Sequence, residues 1–180
     1  MIKFILALFF LTFSANSYSD QNSLKLEDLF DDLYNVQDIS QQNKIVSNIW
    51  AEWMKIDNPE LQKIMDMVPY FFQTRNYNEA IEALSYVIEK EPNFSEAYNK
   101  RATFYFMMGD FENSMKDIET TLALEPRHFG ALDGMSRILI SYKKYEQAFK
   151  VYEEMMSLMP NDVTLHMKMD RLNKLIFDDA

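Results

Sequence analysis

The sequence predicts an all-α solenoid of antiparallel helix pairs, flanked by N-terminal and C-terminal capping helices, and three observations carry that reading. The 180 residues hold only three glycines and five prolines against 48% hydrophobic and 14% aromatic residues, too few turn signals for an all-β or alternating α/β chain. Glu91-Pro92, Glu125-Pro126 and Met159-Pro160 recur at an offset of 34, and the residues ahead of each proline align without a gap. Within each period, bulky residues return at helical spacing and give both helices of the pair an apolar stripe.

Taken in order, residues 1–19 read as a secretory signal. Lys3 supplies a positive start, Phe4 to Phe13 is almost wholly apolar, and the small residues Ser14, Ala15, Ser17 and Ser19 follow. As a helix, this apolar run reaches about 15 Å, half of the roughly 30 Å hydrocarbon layer, which favours a cleaved signal over a retained anchor. Export to the periplasm is therefore expected, with anchoring through an uncleaved N-terminal helix as the alternative. No integral membrane segment is expected in the mature chain.

Residues 20–60 form a degenerate helical hairpin expected to cap the N-terminal end. Leu26-Glu27-Asp28-Leu29-Phe30-Asp31-Asp32-Leu33 reads as one amphipathic helix, and Gln41 to Ile56, with Ile45, Ile49, Trp50 and Trp53, as a second. Asn58-Pro59 then opens the array, with proline at an initial helical position where its missing N–H costs nothing.

Residues 61–161 carry three units, spanning about 61–94, 95–128 and 129–162. The fourth position is bulky (Ile64, Tyr98, Leu132), as are the eleventh (Phe71, Tyr105, Leu139) and the twenty-fourth (Leu84, Ile118, Tyr152). The seventeenth is aromatic (Tyr77, Phe111, Tyr145) and the twentieth small (Ala80, Ser114, Ala148). A small twentieth residue lets the second helix approach the first, and the aromatic fills the wedge at their turn. Met108-Gly109-Asp110 makes that turn in the middle unit, where glycine can take the positive φ that ends a helix. The closing proline cannot continue the second helix and drives its predecessor out of α geometry. Helices are predicted over 61–73, 78–91, 95–107, 112–125, 129–141 and 146–158, with Pro69 bending or restarting the first. Residues 163–180 form a last capping helix, N-capped by Asn161-Asp162 and lined on one face by Leu165, Met169, Leu172 and Ile176.

These positions resemble the tetratricopeptide-repeat (TPR) pattern, in three consecutive ungapped copies. Val68 and Met155 stand where the family usually has small residues. The arrangement of flanks and repeats is also similar to a group of small exported TPR proteins of α-proteobacteria. The resemblance implies a right-handed TPR-type helical solenoid whose first helices line a concave groove for another protein or peptide. It places Met65 and Phe72 on that groove, with Asn99, Thr103 and Phe106 from the second unit and Asp133, Arg137 and Ile140 from the third. Gln62, Glu96, Met107 and Ser141 would share the surface. Phe72, Phe106 and Ile140 would form an apolar rail, unless the terminal helices fill the groove themselves. The family's two-carboxylate clamp, which needs several lysines, arginines and asparagines there, is not recognisable, since Arg137 stands alone.

Composition and motifs narrow the function further. The net charge of −10, or −11 once Lys3 is removed with the signal, repels nucleic acid and anionic lipid. The absence of cysteine excludes disulfides, thiolate metal sites and a cysteine nucleophile. His128 and His166 have no partner at metal-ligand spacing and read as structural or surface residues, and no nucleophile elbow, phosphate loop or zinc motif occurs. No catalytic residue, metal or cofactor is expected. The expectation is a non-catalytic interaction module or assembly factor; the alternatives are a homo-oligomer packing through its groove or ends, and an uncharacterised hydrolase.

Overall fold

The computed structural model describes residues 24–178. The proposed signal segment lies outside the described residues. Within them the chain is wholly helical. Helices α1 (Leu24–Asn35) and α2 (Ile39–Trp53) make the leading hairpin. The first unit is α3 (Pro59–Asp66), α4 (Val68–Thr74) and α5 (Tyr77–Lys90). The second is α6 (Ser95–Met107) and α7 (Phe111–Leu124), the third α8 (Phe129–Ser141) and α9 (Tyr145–Leu158), and α10 (Val163–Asp178) follows.

The 34-residue register recurs in the backbone itself. Glu91, Glu125 and Met159, each just before a proline, leave helical geometry at φ −130°, −135° and −138°. The turn inside each unit places one residue at positive φ: Arg75 at 58°, Gly109 at 80° and Lys143 at 57°. Only the middle unit meets that demand with glycine. The twentieth residues Ala80, Ser114 and Ala148 are completely buried, and the Ser114 hydroxyl donates to the Ala102 carbonyl at 2.8 Å, tying α7 to α6. Pro69 cannot donate to the Met65 carbonyl, so the first helix of unit one breaks at Met67 into α3 and α4.

The last helix packs on the third unit and leaves a mixed outer surface, with Val163, Met167 and Phe177 exposed. Asp162 accepts from the Leu165 N–H at 2.7 Å and caps α10, which buries Leu165 and Leu172 against the third unit. At the fourth and eighth positions, where α8 buries Leu132 and Ser136, α10 instead carries exposed His166 and Asp170.

The hairpin lies differently from the expectation. Rather than covering the leading face of the first unit, where Met67 and Tyr70 stay exposed, it runs along the edge formed by the turns between later units. Trp53 stacks on His128 with centroids 4.0 Å apart and planes 11° apart, and Trp50 meets His128 and Phe129 edge-on. Gln42 donates to Asp162 at 2.5 Å, Asn161 to the Val36 carbonyl at 2.8 Å, and Arg127 pairs with Glu27 and covers the Phe30 ring. The physical reason is a seat matched to the two tryptophans. Gly130 leaves bare backbone under Trp50, whose Cη2 would stand 2.4 Å from any added Cβ, and the Lys100 ammonium lies 4.6 Å over the Trp50 ring.

Beneath that seat is a buried polar pair. His128 Nδ1 accepts from the Ala131 N–H at 3.2 Å and so caps α8, which leaves Nε2 to carry the proton that it donates to Glu96 at 2.8 Å. Asn99 donates to the same Glu96 oxygen at 2.9 Å, and Lys100 Nζ lies 2.7 Å from the other. Burial pushes the Glu96 carboxyl up, but Lys100 and His128 more than reverse this and hold it below the ordinary carboxylate value.

Two stability predictions follow from these contacts. Substituting Lys143→Gly, or Arg75→Gly, removes a left-handed strain and should stabilise by about 0.5 kcal/mol each, read as a higher Tm in thermal melts. A carboxyl with a lowered folded-state pKa contributes stability that is complete above its unfolded value and lost as pH falls through the folded one. Melts of wild type should therefore decline below about pH 4.5, and Glu96→Gln should cost about 3 kcal/mol at neutral pH while flattening that acid limb.

Candidate binding cleft

Stacking of consecutive units brings α6 and α8 side by side with α7 behind them, and between them is a cleft of about 240 Å³. Helix α6 contributes Asn99, Ala102, Thr103, Phe106 and Met107, α7 contributes Ser114 and Ile118, and α8 contributes Gly130, Asp133, Gly134 and Arg137. The floor is apolar, made by Ala102, Ile118 and the bare backbone of Gly134. Phe106 forms one wall, steadied by Phe111 at 5.3 Å between centroids.

The rim is polar, with one carboxylate held between two cations. Arg137 Nε donates to Asp133 at 2.7 Å, and Lys168 reaches across from α10 to the other Asp133 oxygen at 2.5 Å. Burial raises the Asp133 carboxyl, and the hydrogen bonds from Lys168 and Arg137 outweigh it, so the group is held low and ionised. Thr103 donates to the Asn99 carbonyl at 2.9 Å. A carboxylate fixed by two cations is poorly placed to move a proton, whereas a polar rim over an apolar floor suits side-chain capture. Among the described residues, no cluster of three or more histidine, aspartate or glutamate side chains could hold a metal ion. No helix among them is long and apolar enough to cross a membrane.

Of the residues placed on the groove from sequence, Asn99, Thr103, Phe106, Asp133 and Arg137 come together here, with Met107 beside them. Met65 does not. It is fully buried, because it stands one turn after Leu61 and one before Val68, and all three line the core of the first unit. Glu96 is likewise withdrawn from the surface, held by His128 and Lys100. Phe72 packs on Phe104 of α6 at 4.9 Å, between the first and second units, and Ile140 lines a separate recess with Leu172 and Leu175 of α10. The expected rail is therefore divided among three packing clusters. The terminal helices take part of the groove: α10 closes on the third unit through Lys168 and Leu172, and α2 reaches Gly130 through Trp50.

The floor residues Ser114, Ile118, Gly130 and Gly134 were not legible as site residues, nor was Lys168 from the last helix. One signal was present. Two of the three glycines stand four residues apart inside a helix, where glycine destabilises and so asks for a reason.

Comparison with known proteins agrees with this architecture. The family model for anaphase-promoting complex, cyclosome, subunit 3 matches residues 73–155. A TPR repeat-containing protein of Rhizobium etli is 31% identical over 148 residues, covering 82% of this chain and 72% of that protein. Hsp70-Hsp90 organizing protein 3 of Arabidopsis thaliana is 31% identical over 84 residues, which span 47% of this chain but only 15% of that protein. Among solved structures, the first TPR of Spaghetti (RPAP3) bound to an HSP90 peptide superposes with a TM-score of 0.61 at 21% identity, over 67% of this chain and 98% of that one. The fold is thus that of TPR solenoids, and on the extent of the Rhizobium match the chain belongs to the TPR repeat-containing proteins.

Proposed function

We propose that this protein is a non-catalytic interaction module that holds a polypeptide segment of a partner in the α6–α8 cleft. The observation that carries the reading is the cleft itself, an apolar floor under a rim whose carboxylate is held by two cations, in a fold shared with a TPR domain solved bound to an HSP90 peptide. Exposed Arg137 can bond a partner's backbone carbonyl, and Asn99 and Thr103 line the same cleft. A carboxylate terminus would enter the site beside a fixed carboxylate. Asp133 stands in its wall and occupies Arg137 and Lys168, the cations nearest the cleft.

With a photo-crosslinker at Thr103, the protein should capture a polypeptide from its own cell envelope that a crosslinker at the solvent-facing Lys116 does not. The double variant Phe106→Ala, Arg137→Ala should weaken that capture about tenfold or more while circular dichroism stays unchanged. Equal capture by wild type and variant would remove the cleft from consideration.

The apolar, lysine-led start of the sequence supports action after export. Mass spectrometry of the protein from fractionated cells should find a periplasmic chain beginning just after Ser17 or Ser19. A full-length chain in the membrane fraction would instead favour anchoring. A second reading, self-association, draws on Met107, Met108 and Tyr142, exposed together at the turns beside the cleft, and a strict monomer by light scattering would exclude it.

A further inference from the structure

Two glycines sit one turn apart inside α8, and packing accounts for only one. At Gly130 an added Cβ would fall 2.4 Å from Cη2 and 3.0 Å from Cζ2 of Trp50, an aromatic ring fixed by its own neighbours. That glycine is required by the seat of the hairpin. At Gly134 the added Cβ would meet only the Ile118 side chain, at 3.2 Å from Cδ1 and 3.8 Å from Cγ1. A terminal methyl can yield by that margin.

The repeat supplies an internal control. The residues equivalent to Gly134, one period and two periods earlier, are Lys100 and Asp66, so the array accommodates a full side chain at this position. A glycine inside a helix also destabilises it relative to alanine. What the missing side chain does provide is depth, because the Gly134 backbone and the Ile118 methyl together form the bottom of the α6–α8 cleft.

The size and charge of that space restrict its occupant. At about 240 Å³ the cleft is smaller than the roughly 300–1,000 Å³ of sites that enclose whole small molecules, and it suits a single large side chain. The charges at the rim, Asp133 with Arg137 and Lys168, are engaged with one another, and Ala102, Ile118 and Gly134 below them carry none, so a charged side chain reaching the bottom would lose its hydration without a partner there. We infer that Gly134 opens a socket for one bulky uncharged apolar side chain, the size of leucine, methionine or phenylalanine, anchoring a partner polypeptide. The inference rests on the reading of the cleft as a polypeptide-binding site and names what that site selects. The anchor lies on Ile118 and against Phe106, while the partner backbone runs along Thr103 and Arg137.

The test uses the whole protein with labelled isoleucine methyls, following the Ile118 δ1 signal by NMR. N-acetyl-leucine amide and N-acetyl-phenylalanine amide should shift it saturably, whereas the alanine and glutamate amides should not. In Gly134→Ala the added methyl fills the socket, and binding of the two large amides should weaken about tenfold or more while Tm does not fall. Undiminished binding in the variant overturns the socket, as does a response to the glutamate amide equal to that of leucine. A fall in Tm overturns it too, since Gly134 would then serve helix packing. Crosslinking at Thr103 separates the two readings. Capture reduced in Gly134→Ala supports both, and capture unchanged there but lost in Phe106→Ala, Arg137→Ala overturns the socket and keeps the cleft. No capture by wild type overturns the polypeptide reading and, with it, the anchor.

Discussion

The close approach of the two helices in each unit is the constraint on which the rest of this structure depends. Ala80, Ser114 and Ala148 have no exposed surface, and any larger side chain at these points would push the second helix off the first. That approach fixes where each unit ends, and the extended residue before each proline fixes how the next begins. With both repeated at 34 residues, α6 and α8 are brought alongside each other with α7 between and behind. The cleft follows from this stacking, without a loop or insertion to shape it.

A second layer of order comes from contacts far apart in sequence. The hairpin is held by Trp50 and Trp53 against the turn carrying His128, by Arg127 against Glu27, and by Gln42 and Val36 against Asp162 and Asn161. Residues about a hundred positions apart are thereby clamped along one edge, so the leading hairpin and the third unit should resist unfolding together. Among the described residues, the leading face of the first unit, with Pro69 interrupting its first helix, carries no such clamp and leaves Met67 and Tyr70 exposed.

The helices and their turns were legible because the signals that make them are local. Proline, a positive-φ turn residue and a stripe at helical spacing act within one unit, and the predicted ranges 95–107 and 129–141 coincide with α6 and α8. The placement of the hairpin was not legible, since it depends on Gly130 being bare where Trp50 arrives from eighty residues away. Site residues divided in the same way. Asn99, Thr103, Phe106, Asp133 and Arg137 share one cleft because the repeat register places them on facing helices. Met65 was misplaced because the same register cannot tell a groove-facing methionine from a core one when Leu61 and Val68 lie beside it. The rail of Phe72, Phe106 and Ile140 failed for a related reason, each finding a different apolar partner: Phe104 of α6, Phe111 of α7, and Leu172 with Leu175 of α10.

The charge of the molecule and the charge of its cleft have to be considered separately. The chain as a whole carries −10, which keeps nucleic acid and anionic surfaces at a distance and slows encounter with acidic partners. Around the cleft, Asp133 is paired with Arg137 and Lys168, and Glu96 is buried under Lys100, so the nearby charges leave a small positive surplus against the acidic whole. The apolar residues at the bottom, Ala102 and Ile118, offer a charged group no partner, which leaves shape and apolar contact to discriminate there. Lys168 ties this to the fold: it belongs to α10, so the helix that packs on the third unit also supplies one of the two cations on Asp133, and displacing it would uncover that unit and leave Asp133 to Arg137 alone.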